Sequence, residues 1–286
     1  MIVCRSKAEI ERLRHSGQAV RRLLEDLRQQ VRPGITTWEL ETYLERQIKM
    51  LGARPAFKGY RNFPCCLCVS VNQEIIHGIP SSRRRLQAGD IVSLDTGVVL
   101  DGYYGDSAIT VPVGEISEPL KRLLRVTQEC LALGIEQAKA GNRVGDISAA
   151  VQEHAESNGY SVVREFVGHG VGRALHEEPQ VPNYGRRGHG PRLKEGMVIA
   201  IEPMLNTGGA DVRVLEDQWT AVTKDGGYSA HYEHMVAISS NGADVLTRLE
   251  TEAPFESGIH PGLNLAYNQS SDAGPGRAWN SPRLER

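Results

Sequence analysis

The sequence predicts an α+β chain built as two similar halves, each of two helices followed by strands. Three observations carry this. Two capping boxes open helical segments near the start, and the first runs on as a long apolar stripe. An Asp-Gly pair separates two apolar runs, the signal of a tight hairpin. One constant, ungapped offset then relates the first half to the second, mapping Leu13 to Leu120, Gly34 to Gly141, Gly52 to Gly159, Leu86 to Leu193, Gly89 to Gly196 and Ile91–Asp95 to Val198–Glu202.

Ser6 and Glu9 cap the first helix, in which Ile10, Leu13, Gly17, Val20, Leu24, Leu27 and Val31 recur at three- and four-residue steps. Pro33-Gly34 stops it. Thr36 and Glu39 cap a second helix running to Gly52. Strands follow over Leu67–Val71, Asp90–Leu100 and Tyr103–Val113. A third helix starts after Ser117, with Pro119 in its first turn, and runs to Gly141; a fourth spans Asp146 to Gly159. The remainder to residue 247 reads as strands and loops. The last stretch, 251–286, is rich in Pro, Gly, Ser and Asn without apolar period and reads as a poorly ordered tail.

Composition excludes several classes. A net charge of -2 leaves no electrostatic footprint for sequence-specific nucleic acid or acidic lipid, and Arg83–Arg85 read as a solvated loop. No window approaches the ~20 apolar residues of a membrane span, and Met1–Lys7 lack a signal-peptide core. The cysteines, Cys4, Cys65, Cys66, Cys68 and Cys130, lack paired CxxC spacing, which fits reduced thiols in a cytoplasmic protein. Neighbouring strand residues face opposite ways, so Cys65, Cys66 and Cys68 do not converge on one ion.

The chemistry concentrates in the hairpin. An Asp101-Gly102 turn pairs Leu100 with Tyr103, sets Gly97 opposite Asp106 and leaves Asp95 diagonal to Asp106 on the same face. Two carboxylates so close repel unless a proton or cation lies between them, and hard divalent cations are the natural partner. Taken alone, the pair reads equally well as solvated strand ends. Further donors recur downstream: His169 and His176 in a glycine-rich loop, Glu202 before Pro203 at a strand end, and Glu233 opening another strand. Each has a bland reading as a structural histidine or a salt-bridged edge. Together, Asp95, Asp106, His169, Glu202 and Glu233 make a donor set suited to two divalent cations sharing carboxylates at roughly 3.5–4 Å.

With those motifs in place the chain closely resembles the type I methionine aminopeptidases of the pita-bread metallopeptidases. Their pattern of Asp, Asp, His, Glu and Glu, in the contexts D-x-G, G-D, G-H-G-x-G, E-P and E-H, is matched by all five residues. The resemblance covers residues 2 to 247 and implies a pita-bread fold: two pseudo-symmetric halves, helices outside a curved antiparallel sheet, forming one catalytic domain over 1–250. It implies that Asp106 and Glu233 bridge two ions (cobalt, manganese, iron or zinc), with Asp95 on one and His169 and Glu202 on the other. Ions so held acidify water and stabilise an oxyanion. Glu202 is implied as proton shuttle, His77 and His176 as hydrogen-bonding partners of the substrate, and Tyr60, Phe63, Cys68, Leu175 and Trp219 as the methionine pocket. The partners so implied are the N-termini of nascent polypeptides, with the ribosome as a further candidate; a monomer is expected. The short form, without a polybasic extension or the long type II insertion, looks bacterial. His231 and Met235 depart from the Gln and Thr frequent in the family.

Two rivals share the fold. A proline peptidase carries the same donors but usually has a large N-terminal domain, whereas here Asp95 follows only two helices and a short sheet region. A non-catalytic binding protein should have lost donors, and none is missing. A metal-free interaction domain leaves four strand carboxylates unexplained.

Overall fold

The computed structural model describes residues 2–249; the tail expected over 251–286 lies outside them. Helix α1 spans Lys7–Gln30 and α2 Thr37–Met50, each opened by the expected reciprocal capping box of Ser6 with Glu9 and Thr36 with Glu39. Helix α3 spans Glu118–Gln137 and α4 Val144–Ser157. The strands of the first half are β1 (Arg54–Pro55), β2 (Leu67–Val71), β3 (Glu74–Ile76), β4 (Ile91–Leu100) and β5 (Tyr103–Pro112). Those of the second are β6 (Ser161–Val162), β7 (Gly168–Gly170), β8 (Glu177–Val181), β9 (Val198–Ile201), β10 (Met204–Asn206), β11 (Val212–Val214), β12 (Ala221–Thr223), β13 (Ser229–His231), β14 (His234–Ser239) and β15 (Gly242–Val245).

The offset between the halves is structural. The ends of α2 map onto the ends of α4 at the same spacing, Thr37 onto Val144 and Met50 onto Ser157, and the end of α1 at Gln30 maps onto the end of α3 at Gln137. Gly34 donates its N–H to the Leu86 carbonyl at 2.8 Å, and Gly141 donates to Leu193 at 3.1 Å. Both glycines turn the chain at positive φ, +87° and +98°, where a side chain is strained. This corrects the expected end of α3: the helix stops at Gln137, not Gly141, because Gly141 is committed to the loop contact that mirrors Gly34. Likewise α4 begins at Val144, and Asp146 lies within its first turn, accepting the N–H of Arg143 at 2.7 Å.

All strand pairing is antiparallel, but the expected sheet is divided into four hydrogen-bonded units. Strand β4 carries β5 on one edge and β1 and β2 on the other; β14 and β9 lie at the middle of the five-stranded unit β15-β14-β9-β7-β8; β13-β10-β6 and β11-β12-β3 are three-stranded. A continuous apolar core runs through both halves and includes Leu24 and Leu44 of the first helical pair, Leu123 and Ile147 of the second, and Val92 and Ile199 of the strands. The halves meet where the chain passes from β13 to β14. Glu233 donates its N–H to the Ala108 carbonyl (2.9 Å), Ser107 Oγ donates to the Glu233 carbonyl (2.7 Å), and Tyr232 donates its hydroxyl to the Thr110 carbonyl (2.7 Å). That seam is where the carboxylates lie.

Candidate metal centre

The hairpin register is as the turn chemistry dictates. Asp101 and Gly102 both have positive φ, +50° and +78°, as a primed two-residue turn requires. Leu100 faces Tyr103, Gly97 faces Asp106, and Asp95 faces Ala108, so Asp95 and Asp106 are diagonal neighbours on one face. Asp95 also faces Cys68 of β2. Glu202 follows β9 at the position equivalent to Asp95, and Glu233 stands on the seam between the halves.

Asp106, His169 and Glu233 are buried, and one donor atom from each lies within 4.8 Å of the others. His169 Nε2 is 3.7 Å from Asp106 Oδ2 and 3.6 Å from Glu202 Oε1. The His169 Nδ1–H donates to the Gly170 carbonyl at 3.0 Å, which leaves Nε2 with its lone pair facing the carboxylates. Of the five expected donors, Asp106, His169, Glu202 and Glu233 are thus joined by these distances, and Asp95 lies diagonal to Asp106 in the hairpin.

Electrostatics decide what this cluster is for. Burial, then the charges of Asp95 and Glu202, pushes the Asp106 carboxyl well above its ordinary range. Burial, then Asp95, does the same to Glu202; burial, then Asp106, Glu202 and Asp95, does so to Glu233. Burial raises Asp95 to about 7 and lowers His169 to about 3. No lysine or arginine among the described residues offsets these shifts. Asp95 Oδ1, Asp106 Oδ1 and Glu233 Oε1 are buried without a hydrogen-bond partner. Anionic oxygens in such a setting need a cation, and a set of carboxylates with one imidazole suits hard or borderline divalent ions.

Beside the donors lies an apolar cluster. Tyr60, Phe63, Cys68, Leu175 and Trp219, drawn from both halves of the chain, form one cluster with Ala56, Phe57 and Val99. Phe63 meets Trp219 edge-to-face at 5.1 Å, and the His77 ring stands 6.1 Å from Trp219. His176 shares a 2.8 Å hydrogen bond with the Tyr60 hydroxyl, and its ring lies 4.3 Å from that of His169. His77 has positive φ (+60°), and burial lowers it to about 4. Burial, then the Arg61 charge, lowers His176.

Sequence reasoning misses part of the site. Gly97 serves close packing: a Cβ there would sit 2.9 Å from the Ala56 Cβ, 2.9 Å from the Gly105 carbonyl oxygen and 3.0 Å from the Phe57 ring. Phe57 carries no signal, because its neighbours come from β4 and the loop before β8. Met235 accepts the Asp106 N–H on sulfur at 3.0 Å, and the His231 ring points at Glu202; in the sequence both are visible only as departures from a family pattern.

The chain matches the profile of Metallopeptidase family M24 over residues 11–240. It is 52% identical over 249 residues to methionine aminopeptidase 1 of Bacillus subtilis, covering 87% of this chain and all of that protein. The crystal structure of the methionine aminopeptidase from Thermotoga maritima superposes with a TM-score of 0.86 at 48% identity, over 87% of this chain and 100% of that one. The prolidase from Pyrococcus furiosus shares the pita-bread fold at 26% identity and a TM-score of 0.69, but this chain spans only 66% of its length. Full-length coverage at half identity on one side, and partial coverage at a quarter on the other, decide between the branches: the chain belongs to metallopeptidase family M24, and within it to the methionine aminopeptidases.

Proposed function

We propose that this chain removes the N-terminal methionine from nascent polypeptides, preferring a small second residue, and uses two divalent ions to do so. One observation carries the reading: Asp106, His169 and Glu233 bring donor atoms within 4.8 Å of one another, Asp95, Asp106 and Glu233 each hold a buried oxygen without a partner, and an apolar cluster chemically suited to a methionine side chain lies beside them. Four carboxylates bring four negative charges when ionised, which two divalent cations balance. Asp95, Asp106, His169, Glu202 and Glu233 would hold them. Cobalt, manganese, iron and zinc all suit this set. Bound there, the ions acidify a water and polarise the scissile carbonyl.

The chain's own groups supply the rest. Glu202, its carboxyl raised by burial, takes the proton of the attacking water and returns it to the departing nitrogen. His77 and His176, kept neutral by burial, accept from the peptide nitrogen and donate to the developing oxyanion. Tyr60 fixes the His176 ring through Nδ1 and so leaves Nε2 for the substrate. Phe63, Cys68, Leu175 and Trp219 hold the methionine side chain and exclude water.

All five donors come from one chain, so a monomer suffices. Action on nascent chains implies the cytoplasm, with the ribosome as candidate docking partner; no described helix is long and apolar enough to cross a membrane. The test is hydrolysis of Met-Gly-Met-Met against Xaa-Pro peptides, with and without chelator. Chelator-sensitive release of methionine is expected. Preference for Xaa-Pro would move the assignment to the proline peptidases, and chelator-insensitive cleavage would remove the metal.

A further inference from the structure

Two buried imidazoles flank the Glu202 carboxylate, and only one has an assigned role. His169 lies 3.6 Å from Oε1, its other nitrogen occupied by the Gly170 carbonyl. His231 lies 3.7 Å from Oε2 and is 1% exposed, and neither of its ring nitrogens has a hydrogen-bond partner. A fully buried imidazole without a partner is rare in a folded interior and calls for one.

The placement of this ring is fixed by its backbone. The His231 N–H donates to Thr110 Oγ1 at 2.9 Å, and its carbonyl accepts from the same hydroxyl at 2.8 Å. Ser93 Oγ stands 2.9 Å from Thr110 Oγ1 and holds that hydroxyl in turn. His231 also pairs with Met204, two residues beyond Glu202. The loop beginning at Glu202 and the strand carrying His231 therefore move as one unit, and the ring faces the carboxylate because the sheet holds it there.

We propose that His231 is a positioning residue for Glu202: its Nε2–H donates to Oε2 and turns Oε1 toward His169 and the candidate ion site. Closing the 3.7 Å gap to hydrogen-bond length takes a rotation of the carboxylate of less than about 1 Å. The inference rests on Glu202 being an ion-holding carboxylate.

Three measurements test it. Manganese titrated by calorimetry into chelator-stripped protein should bind wild type and His231→Gln with similar affinity, since the amide keeps a donor, and His231→Leu about 10- to 100-fold more weakly at one site. Turnover of Met-Gly-Met-Met should follow: kcat reduced in His231→Leu by a similar factor with KM nearly unchanged, and restored in His231→Gln. Nitrogen-15 NMR of the manganese-free, zinc-loaded wild type should show the His231 ring protonated on Nε2, a readout that needs no folded variant. Unchanged affinity and kcat in His231→Leu, a His231→Gln as impaired as His231→Leu, or a ring protonated on Nδ1 would each overturn the role of His231. Failure of the wild-type protein to bind any divalent ion would instead overturn the reading of Glu202 on which it rests.

Discussion

Arg5 closes on Glu177 across 172 residues of sequence: its Nη2 lies 2.7 Å from Oε1 and also contacts Oε2, with both side chains largely buried. Glu177 further accepts the N–H groups of Arg173 (2.9 Å) and Ala174 (3.2 Å), in the loop that delivers Leu175 and His176. Arg5 donates its own N–H to the Gly196 carbonyl at 2.7 Å, just before β9 and Glu202. A Cβ on Gly172 would collide with the Arg5 guanidinium, so the loop folds directly over it. The N-terminal segment is thus a strap over the loop that carries Leu175 and His176.

Removing that strap should leave the ions and disturb the substrate. His169 sits in β7 opposite Gln180 of β8, three residues beyond Glu177. Arg5→Ala strands a buried carboxylate, costing about 3 kcal/mol, which for a domain of this size lowers Tm by on the order of 10 °C. Displacing His176 and Leu175 should lower kcat/KM for methionyl peptides about tenfold or more, while calorimetry shows ion binding retained. Wild-type kinetics in Arg5→Ala would show the strap to be structural only.

Asp106 and His77 should separate ion loss from catalytic loss. Asp106 is buried within donor reach of both His169 and Glu233, so Asp106→Asn removes the charge shared at the middle of the cluster. Its metal content, read by elemental analysis, should fall well below wild type. His77→Ala touches the pocket rim beside Trp219 and Phe166 and should keep its metal while kcat falls by about 100-fold, the range of a general hydrogen-bonding group in catalysis. Asp106→Asn with full metal content would exclude bridging by that residue.

These residues are legible in the sequence because their signals are local. Asp101-Gly102 fixes the register of β4 on β5, and with it the diagonal of Asp95 and Asp106. The capping boxes set α1 and α2 to within two residues, and the constant offset between the halves carries the same geometry to Glu202. Long-range packing is not legible. Phe57 meets Gly97 from a loop on the far side of β2 and β3, and Arg5 meets Glu177 from the opposite half, without any periodicity to announce either. The two- and three-residue strands β6, β10, β11 and β12 are too short for an alternating pattern and exist because their partners hold them. The sequence places the end of α3 too late because Ala138-Lys139-Ala140 favour helix, while the pairing of Gly141 with Leu193 overrides them.

The carboxylate cluster should cost the ion-free protein stability as pH rises. Asp95, raised to about 7, and Asp106, Glu202 and Glu233, raised further by burial and by each other, bind more protons folded than unfolded. Stability from such groups is present below their unfolded values, near pH 4, and is lost as pH climbs through the folded values. The Tm of chelator-treated protein, taken relative to Asp95→Asn so that the opposite slope of the buried neutral His77, His169 and His231 cancels, should therefore fall between about pH 4.5 and 7.5, by on the order of 10 °C. Asp95→Asn should flatten the slope. Divalent ions should reverse it, because they displace those protons. A Tm difference between wild type and Asp95→Asn that stays level with pH in the stripped protein would mean the cluster is neutralised by something other than protons.

Gly17 offers a test in which two effects oppose. A glycine inside a helix is disfavoured by about 1 kcal/mol relative to alanine, so Gly17→Ala should stabilise α1 on propensity alone. The packing says otherwise. A Cβ at Gly17 would sit 2.8 Å from the Leu246 carbonyl oxygen and 3.2 Å from Thr247, and backbone cannot step aside as a side-chain tip can. Thr247 Oγ1 accepts the Met235 N–H at 3.0 Å, and Met235 sulfur accepts the Asp106 N–H, so displacement is passed to the candidate ion site. Overpacking of this kind costs about 1–3 kcal/mol, enough to outweigh the propensity gain. Gly134 in α3 is the control: its Cβ would meet only the methyl tips of Val151, Ile201 and Ile147 at 3.1–3.4 Å, which can give. Denaturant unfolding should rank Gly134→Ala at least about 1 kcal/mol above Gly17→Ala. If Gly17→Ala proved the more stable of the two, the Leu246–Thr247 segment would not be pinned against α1, and the route from that helix to Asp106 would be broken.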